Sequence, residues 1–145
     1  MLENYSTNQS QGVTSPESLE AELLPLKKKK IMVIDDDQDF RLSICEILVE
    51  EGYIVTTAKD GEVALNNLVH QTDLPDLILV DLMMPLKNGI QFRREQETLQ
   101  GISEIPVLFI TGHGIIDGEL CLQKPFEQRE LLSFIRKLLG EIERK

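Results

Sequence analysis

The chain has 145 residues, enough for one ordinary domain with a short tail, and 41% of them are hydrophobic, which separates it from disordered sequences and allows a real core. Trp is absent and aromatics are scarce, so that core is expected to be aliphatic. The 25 acidic residues against 15 basic ones give a net charge of −10, which opposes non-specific binding to nucleic acid, and no apolar run approaches the length of a membrane span.

Residues 1–27 read as a flexible or partly docked N-terminal arm. They are polar and turn-rich up to Pro16, and Ser18 to Leu24 offers one or two helical turns before Pro25 stops them. No apolar core segment of a secretory signal is present there. The run Lys27-Lys28-Lys29-Lys30 reads as a solvated lead-in to the first strand. Residues 28–145 read as a single domain. Cys45 and Cys121 have no motif spacing and are expected to be reduced, as in a cytoplasmic protein.

The first strand, 30–35, is the apolar run Ile31-Met32-Val33-Ile34, and it discharges directly into Asp35-Asp36-Asp37. A helix follows from Asp37 or Gln38, with Phe40, Ile44, Ile47 and Leu48 at helical spacing and a stop at Glu51-Gly52. Tyr53 to Thr57 forms a second strand, and Asp60 caps a helix over 61–70 with Val63, Ala64, Leu65 and Leu68 inward. Leu77-Ile78-Leu79-Val80 is a third strand that ends at Asp81. A loop from Pro85 to Gly89 leads into a third helix reaching about Leu99. Strands over 106–110 and 120–122 follow, then a closing helix over 127–143 with Leu131, Leu132, Ile135, Leu138 and Leu139 facing inward.

This alternation predicts an α/β fold, a doubly wound five-stranded parallel sheet with helices on both faces. One repeat reads as defective. Between Thr111 and Leu120 lie eight residues, three of them glycine. A parallel crossover ordinarily takes about a dozen or more with a helix inside, whereas eight residues at about 3.3 Å each span roughly 26 Å. The fourth helix is therefore expected to be missing or reduced to a turn. That loss would bare apolar strand surface for Ile115 and Ile116, the N-terminal arm or a second copy of the chain to cover.

Two parallel strands that both end in carboxylates make an acidic pocket at the ligand-binding edge of such a sheet. Clustered carboxylates must be hydrated, paired or metal-bound, and oxygen-only ligands favour Mg²⁺, with Mn²⁺ as the alternative, over zinc. A carboxylate can also act as a nucleophile, and phosphoryl transfer needs a nucleophile, a metal and a neutralising cation together. Humbler readings exist for each residue. Asp37 is the best candidate for a plain helix cap, Asp81 could be a turn acid, and Lys124 could be solvated. A cap, however, does not account for three acids. His70 reads as a surface residue, and His113 reads as a loop residue two positions past Thr111.

Four features thus occur in order: Asp35-Asp36, Asp81 with Pro85 and Gly89 behind it, Thr111 after a β-branched strand, and Lys124-Pro125-Phe126 before the last helix. Together they resemble the receiver domain of two-component response regulators over roughly residues 28 to 143. The resemblance implies a flavodoxin-like strand order 2-1-3-4-5 and a cytoplasmic signalling phosphoprotein. It implies that Asp81 accepts a phosphoryl group from a histidine kinase or histidine phosphotransfer protein. Asp35, Asp36, Asp81 and the backbone carbonyl of Met83 would hold Mg²⁺. Thr111 would hydrogen-bond a phosphoryl oxygen, and Lys124 would pair first with carboxylate and then with phosphate, ahead of a Lys124-Pro125 bond that is often cis.

The chain also departs from that pattern. Only twelve residues separate Thr111 from Lys124, and Cys121 stands where receivers carry an aromatic switch residue. Met83 is apolar where many fast-hydrolysing receivers are polar, which implies a longer-lived phosphoryl group. The leading expectation is a stand-alone phosphoacceptor that phosphorylates and dephosphorylates itself at Asp81 with Mg²⁺, turns over no small molecule and signals by contact with a downstream protein. No effector domain follows in this sequence, so DNA-binding output is not expected. The alternative is a non-catalytic, receiver-like adaptor working by constitutive protein binding. A small-molecule phosphohydrolase is disfavoured, because Asp81-Leu82-Met83 lacks a second acid two residues on.

Overall fold

The structure, a computed structural model, describes residues 27–112 and 116–141. The expected arm before Lys27, and His113 and Ile115, lie outside the described residues. The elements run β1 (Lys30–Ile34), α1 (Gln38–Glu50), β2 (Ile54–Ala58), α2 (Gly61–His70), β3 (Leu77–Asp81), α3 (Gly89–Glu97), β4 (Val107–Thr111), β5 (Leu120–Gln123) and α4 (Gln128–Leu138). The five strands form one sheet in the order β2-β1-β3-β4-β5, every pairing parallel, which is the expected order.

Strand residues alternate between two faces, and each face buries its own core. Met32, Ile34, Ile78, Val80, Val107 and Phe109 pack with Ala64, Leu65 and Leu68 of α2 and Phe92 of α3. Ile31, Val33, Leu77, Leu79, Leu108 and Ile110 pack with Ile44 and Leu48 of α1 and Leu131, Leu132 and Ile135 of α4. The central strands are buried on both sides, which accounts for their unbroken apolar sequence.

The helices begin where side chains can satisfy free N–H groups. The Asp37 Oδ1 accepts from the Asp39 and Phe40 N–H groups at 3.0 and 3.2 Å, the capping role expected of it. The Asp60 Oδ1 accepts from the Val63 N–H at 2.9 Å. Asn88 and Gln91 cap α3 reciprocally. The second strand begins one residue later than expected, because the Tyr53 N–H donates back to the Leu48 carbonyl of α1 at 3.1 Å; the Tyr53 hydroxyl donates to the Glu141 carboxylate at 3.0 Å.

The expectation of an atypical receiver with a fourth helix missing or reduced to a turn is corrected. Four helices of 13, 10, 9 and 11 residues stand among the described residues, and the fourth, α4, is full length. Its completeness follows from its apolar stripe, since Leu131, Leu132 and Ile135 are all buried against the sheet. The length argument concerned only the connection from Thr111 to Leu120, whose described residues are bend, turn and coil. Among the described residues Leu120 of β5 is half exposed, and Ile116 is one of the residues expected to cover the apolar surface there. All of β4 is buried, and Ile116 and Cys121 pack against the α2–α3 face of the core.

Candidate functional site

Parallel pairing brings four strand ends to one edge of the sheet. Asp35 and Asp36 follow β1, Asp81 ends β3, Thr111 ends β4 and Lys124 follows β5. Register pairs Asp81 with Ile110 and Thr111 with Gln123, and the Lys124 N–H continues the ladder by donating to the Thr111 carbonyl at 2.7 Å. The sheet itself therefore sets the spacing of the polar groups. The Lys124-Pro125 peptide bond is cis.

Carboxylate oxygens of Asp35, Asp36 and Asp81 all lie within 4.8 Å of one another. Their exposures differ: Asp35 is 2% exposed, Asp81 partly buried and Asp36 exposed. The two oxygens of Asp35 have separate partners. Oδ1 accepts from the Asp37 N–H at 2.9 Å, and Oδ2 faces the Lys124 ammonium at 3.4 Å. Burial pushes the Asp35 carboxyl above its ordinary pKa, against the opposing pull of the Asp37 N–H and Lys124. Asp81 is raised too, first by desolvation and then by the negative charge of Asp35, with Lys124 acting against both. Its Oδ1 has only a long contact, 3.5 Å, with the Met83 N–H.

Three carboxylates at this spacing can hold a divalent cation, and the all-oxygen donor set suits Mg²⁺. The Met83 side chain is exposed beside them, and Thr111 is fully buried at the end of β4. The structure thus brings every residue expected of the site to the same edge.

Two contributors were not legible as site residues. Arg41, one turn into α1, donates from Nη1 to the Asp35 carbonyl at 2.6 Å and ties down the acidic turn. Phe40 fits the inward stripe of α1, but its ring lies beneath Lys124, with the ammonium 3.8 Å from the ring centroid. Phe126 meets that ring edge-on at a centroid distance of 6.2 Å. A basic residue just after an acidic helix start signals Arg41 weakly; nothing local signals Phe40.

The response regulator receiver domain family matches residues 31–136. The probable transcriptional regulator ycf29 of Pyropia yezoensis is 36% identical over 120 residues, covering 77% of this chain and 53% of that protein. The transcriptional regulatory protein CpxR of Escherichia coli K12 is 39% identical over 119 residues, covering 76% of this chain and 49% of that protein. The chain spans about half the length of these curated relatives. Among solved structures, a putative response regulator from Chloroflexus aurantiacus superposes with a TM-score of 0.72 at 27% identity, covering 79% of this chain and all of that one. With a family match across most of its length and the acidic strand-end site in place, the chain belongs to the response regulator receiver domain family.

Proposed function

We propose that this receiver is a phosphoacceptor, with Asp81 as the residue modified. A carboxylate oxygen of Asp81 attacks the phosphorus of a phosphohistidine on a histidine kinase or phosphotransfer protein. The P–N bond breaks, the imidazole leaves with its electron pair, and an aspartyl phosphate remains. The observation that carries this reading is the convergence of Asp81 with two further carboxylates and the Lys124 ammonium at one sheet edge. Asp35, Asp36 and Asp81, with the Met83 carbonyl, are the residues that would hold Mg²⁺, or Mn²⁺ in its place. When bound, such a cation neutralises charge on the transferring oxygens.

Lys124 supplies the second positive charge and Thr111 a hydroxyl donor for a phosphoryl oxygen. The intermediate exposure of Asp81, between the buried Asp35 and the exposed Asp36, supports its reading as the nucleophile. Output is by contact with a downstream protein. The test is intact mass after incubation with acetyl phosphate and Mg²⁺, beside Asp81→Asn. The expected result is a gain of one phosphoryl group, abolished by chelation and absent in the variant. Labelling that survives Asp81→Asn would overturn the assignment. No labelling by acetyl phosphate or by any histidine kinase would favour an adaptor that acts by constitutive binding.

A further inference from the structure

Lys124 cannot be held by Asp35 alone. The Asp35 Oδ2 is 3.4 Å away, a long contact for an ion pair, and Asp81, clustered with Asp35, also attracts the same ammonium. A flexible four-carbon stem in such a field has several resting places. What fixes its position is on the other side. The Lys124 ammonium lies 3.8 Å from the centroid of the Phe40 ring, within the range where the ring quadrupole attracts a cation. The ring is itself held by the edge of Phe126, two residues beyond the lysine, and forms part of the wall of a 530 Å³ groove with Ile44, Ile47 and Pro125.

Phe40 and Asp35 are positioned by one turn. Asp37 donates its N–H to Asp35 Oδ1 and accepts the Phe40 N–H at Oδ1, so the residue that orients the carboxylate also orients the ring. Arg41 then ties the next position back to the Asp35 carbonyl. The start of α1 therefore presents an anionic and an aromatic partner to a single ammonium.

We propose that Phe40 is a positioning residue for Lys124. Its ring face holds the ammonium over the acidic pocket by a cation–π contact, so that the charge is in place when a phosphoryl group arrives. The functional part of this inference rests on the phosphoacceptor reading; the structural part does not.

The test replaces Phe40 with Leu, with Tyr, and with mono-, di- and trifluorophenylalanine, which keep the ring's shape while draining its negative face. Two quantities are read in the intact chain. One is the ring-current shielding of the Lys124 ε-methylene resonance, assigned with Lys124→Gln. The other is the rate of labelling by acetyl phosphate with Mg²⁺. Shielding should fall stepwise with fluorination, vanish in Phe40→Leu and return in Phe40→Tyr. The labelling rate should follow in the same order, dropping about threefold in Phe40→Leu, with no further drop when Lys124 is already Gln. Shielding and rate that are indifferent to fluorination would overturn the proposal, since a merely space-filling ring would behave that way. A graded shielding in a chain that no donor labels would overturn the phosphoacceptor reading while leaving the cation–π hold established.

Discussion

Gly89 sits so close to Asp81 that a Cβ at position 89 would lie 2.7 Å from the Asp81 carbonyl oxygen and 3.0 Å from the Leu82 Cα. The two backbones are joined by the Gly89 N–H, which donates to the Leu82 carbonyl at 2.9 Å. Helix α3 therefore starts in contact with the end of β3, and only a residue without a side chain permits it. Gly89→Ala must push the helix and the strand end apart. A loss of about 1–3 kcal/mol in urea unfolding is expected, with a slower labelling rate because Asp81 moves with its backbone. An alanine variant as stable and as readily labelled as the parent would show that this approach is not required.

The raised pKa of Asp81 makes its charge a burden on the fold when no cation is present. A carboxyl that holds its proton more tightly when folded than unfolded contributes stability below the ordinary value of 3.8 and loses it as pH rises through the folded value. In chelator, Asp81→Asn should therefore melt higher than the parent at neutral pH, and the gap should narrow as pH falls toward that ordinary value. Thermal melts of both chains between acid and neutral pH check this. A gap independent of pH would mean that the carboxylate's charge is not what matters.

Mg²⁺ should relieve the same repulsion. Binding to the folded state alone stabilises by about 2.7 kcal/mol at a hundredfold excess over Kd. Asp36 is exposed, so Asp36→Asn should leave the metal-free melt close to the parent's while removing most of the rise that Mg²⁺ produces. If Asp36→Asn responds to Mg²⁺ like the parent, the cation is held elsewhere.

Gln96 is the least conspicuous structural residue of the fold. It is fully buried, and its amide donates to the carbonyls of Ile102 and Ile105, both at 2.9 Å, while Arg93 donates to its oxygen at 2.8 Å. It thereby fastens the chain between α3 and β4. Gln96→Leu fills similar space but removes the donor from the Ile105 carbonyl, while the Ile102 carbonyl keeps the Ile105 N–H at 3.1 Å, and a cost of about 1–3 kcal/mol is expected in chemical denaturation. A neutral result would mean that water or a shifted backbone replaces both bonds.

The sequence carried the parts of this structure that depend on neighbours along the chain. Alternating apolar runs gave five strands in the right places, and Asp37 and Asp60 were recognisable as caps from their position before helical stripes. The acidic pocket was legible because Asp35 and Asp36 follow one strand and Asp81 ends another, and parallel strands deliver such residues to one edge. The expectation of a missing or reduced fourth helix did not hold, because a short connection says nothing about the helix after it; α4 stands on its own buried stripe. Boundaries slipped by a residue where a helix end competed with the ladder for a backbone N–H, as at Tyr53. Gln96 and the Phe40–Lys124 contact were invisible for a different reason. Their partners are fixed by the packing of separate segments, and no periodicity marks a glutamine that faces inward or a ring that meets a cation 84 positions away.

The bond from the Lys124 N–H to the Thr111 carbonyl implies a ruler that runs across the strands and not along the chain. Because β5 is paired residue for residue with β4, the lysine's height above the acids is measured from Thr111 and is indifferent to how much polypeptide lies between them. The eight residues from Gly112 to Glu119 are then a place where length can be traded freely. Added loops, binding peptides or whole inserted modules at Asp117-Gly118, both exposed, should leave the spacing of the pocket as it is. A single residue inserted within β5 would instead turn Lys124 to the opposite face of the sheet.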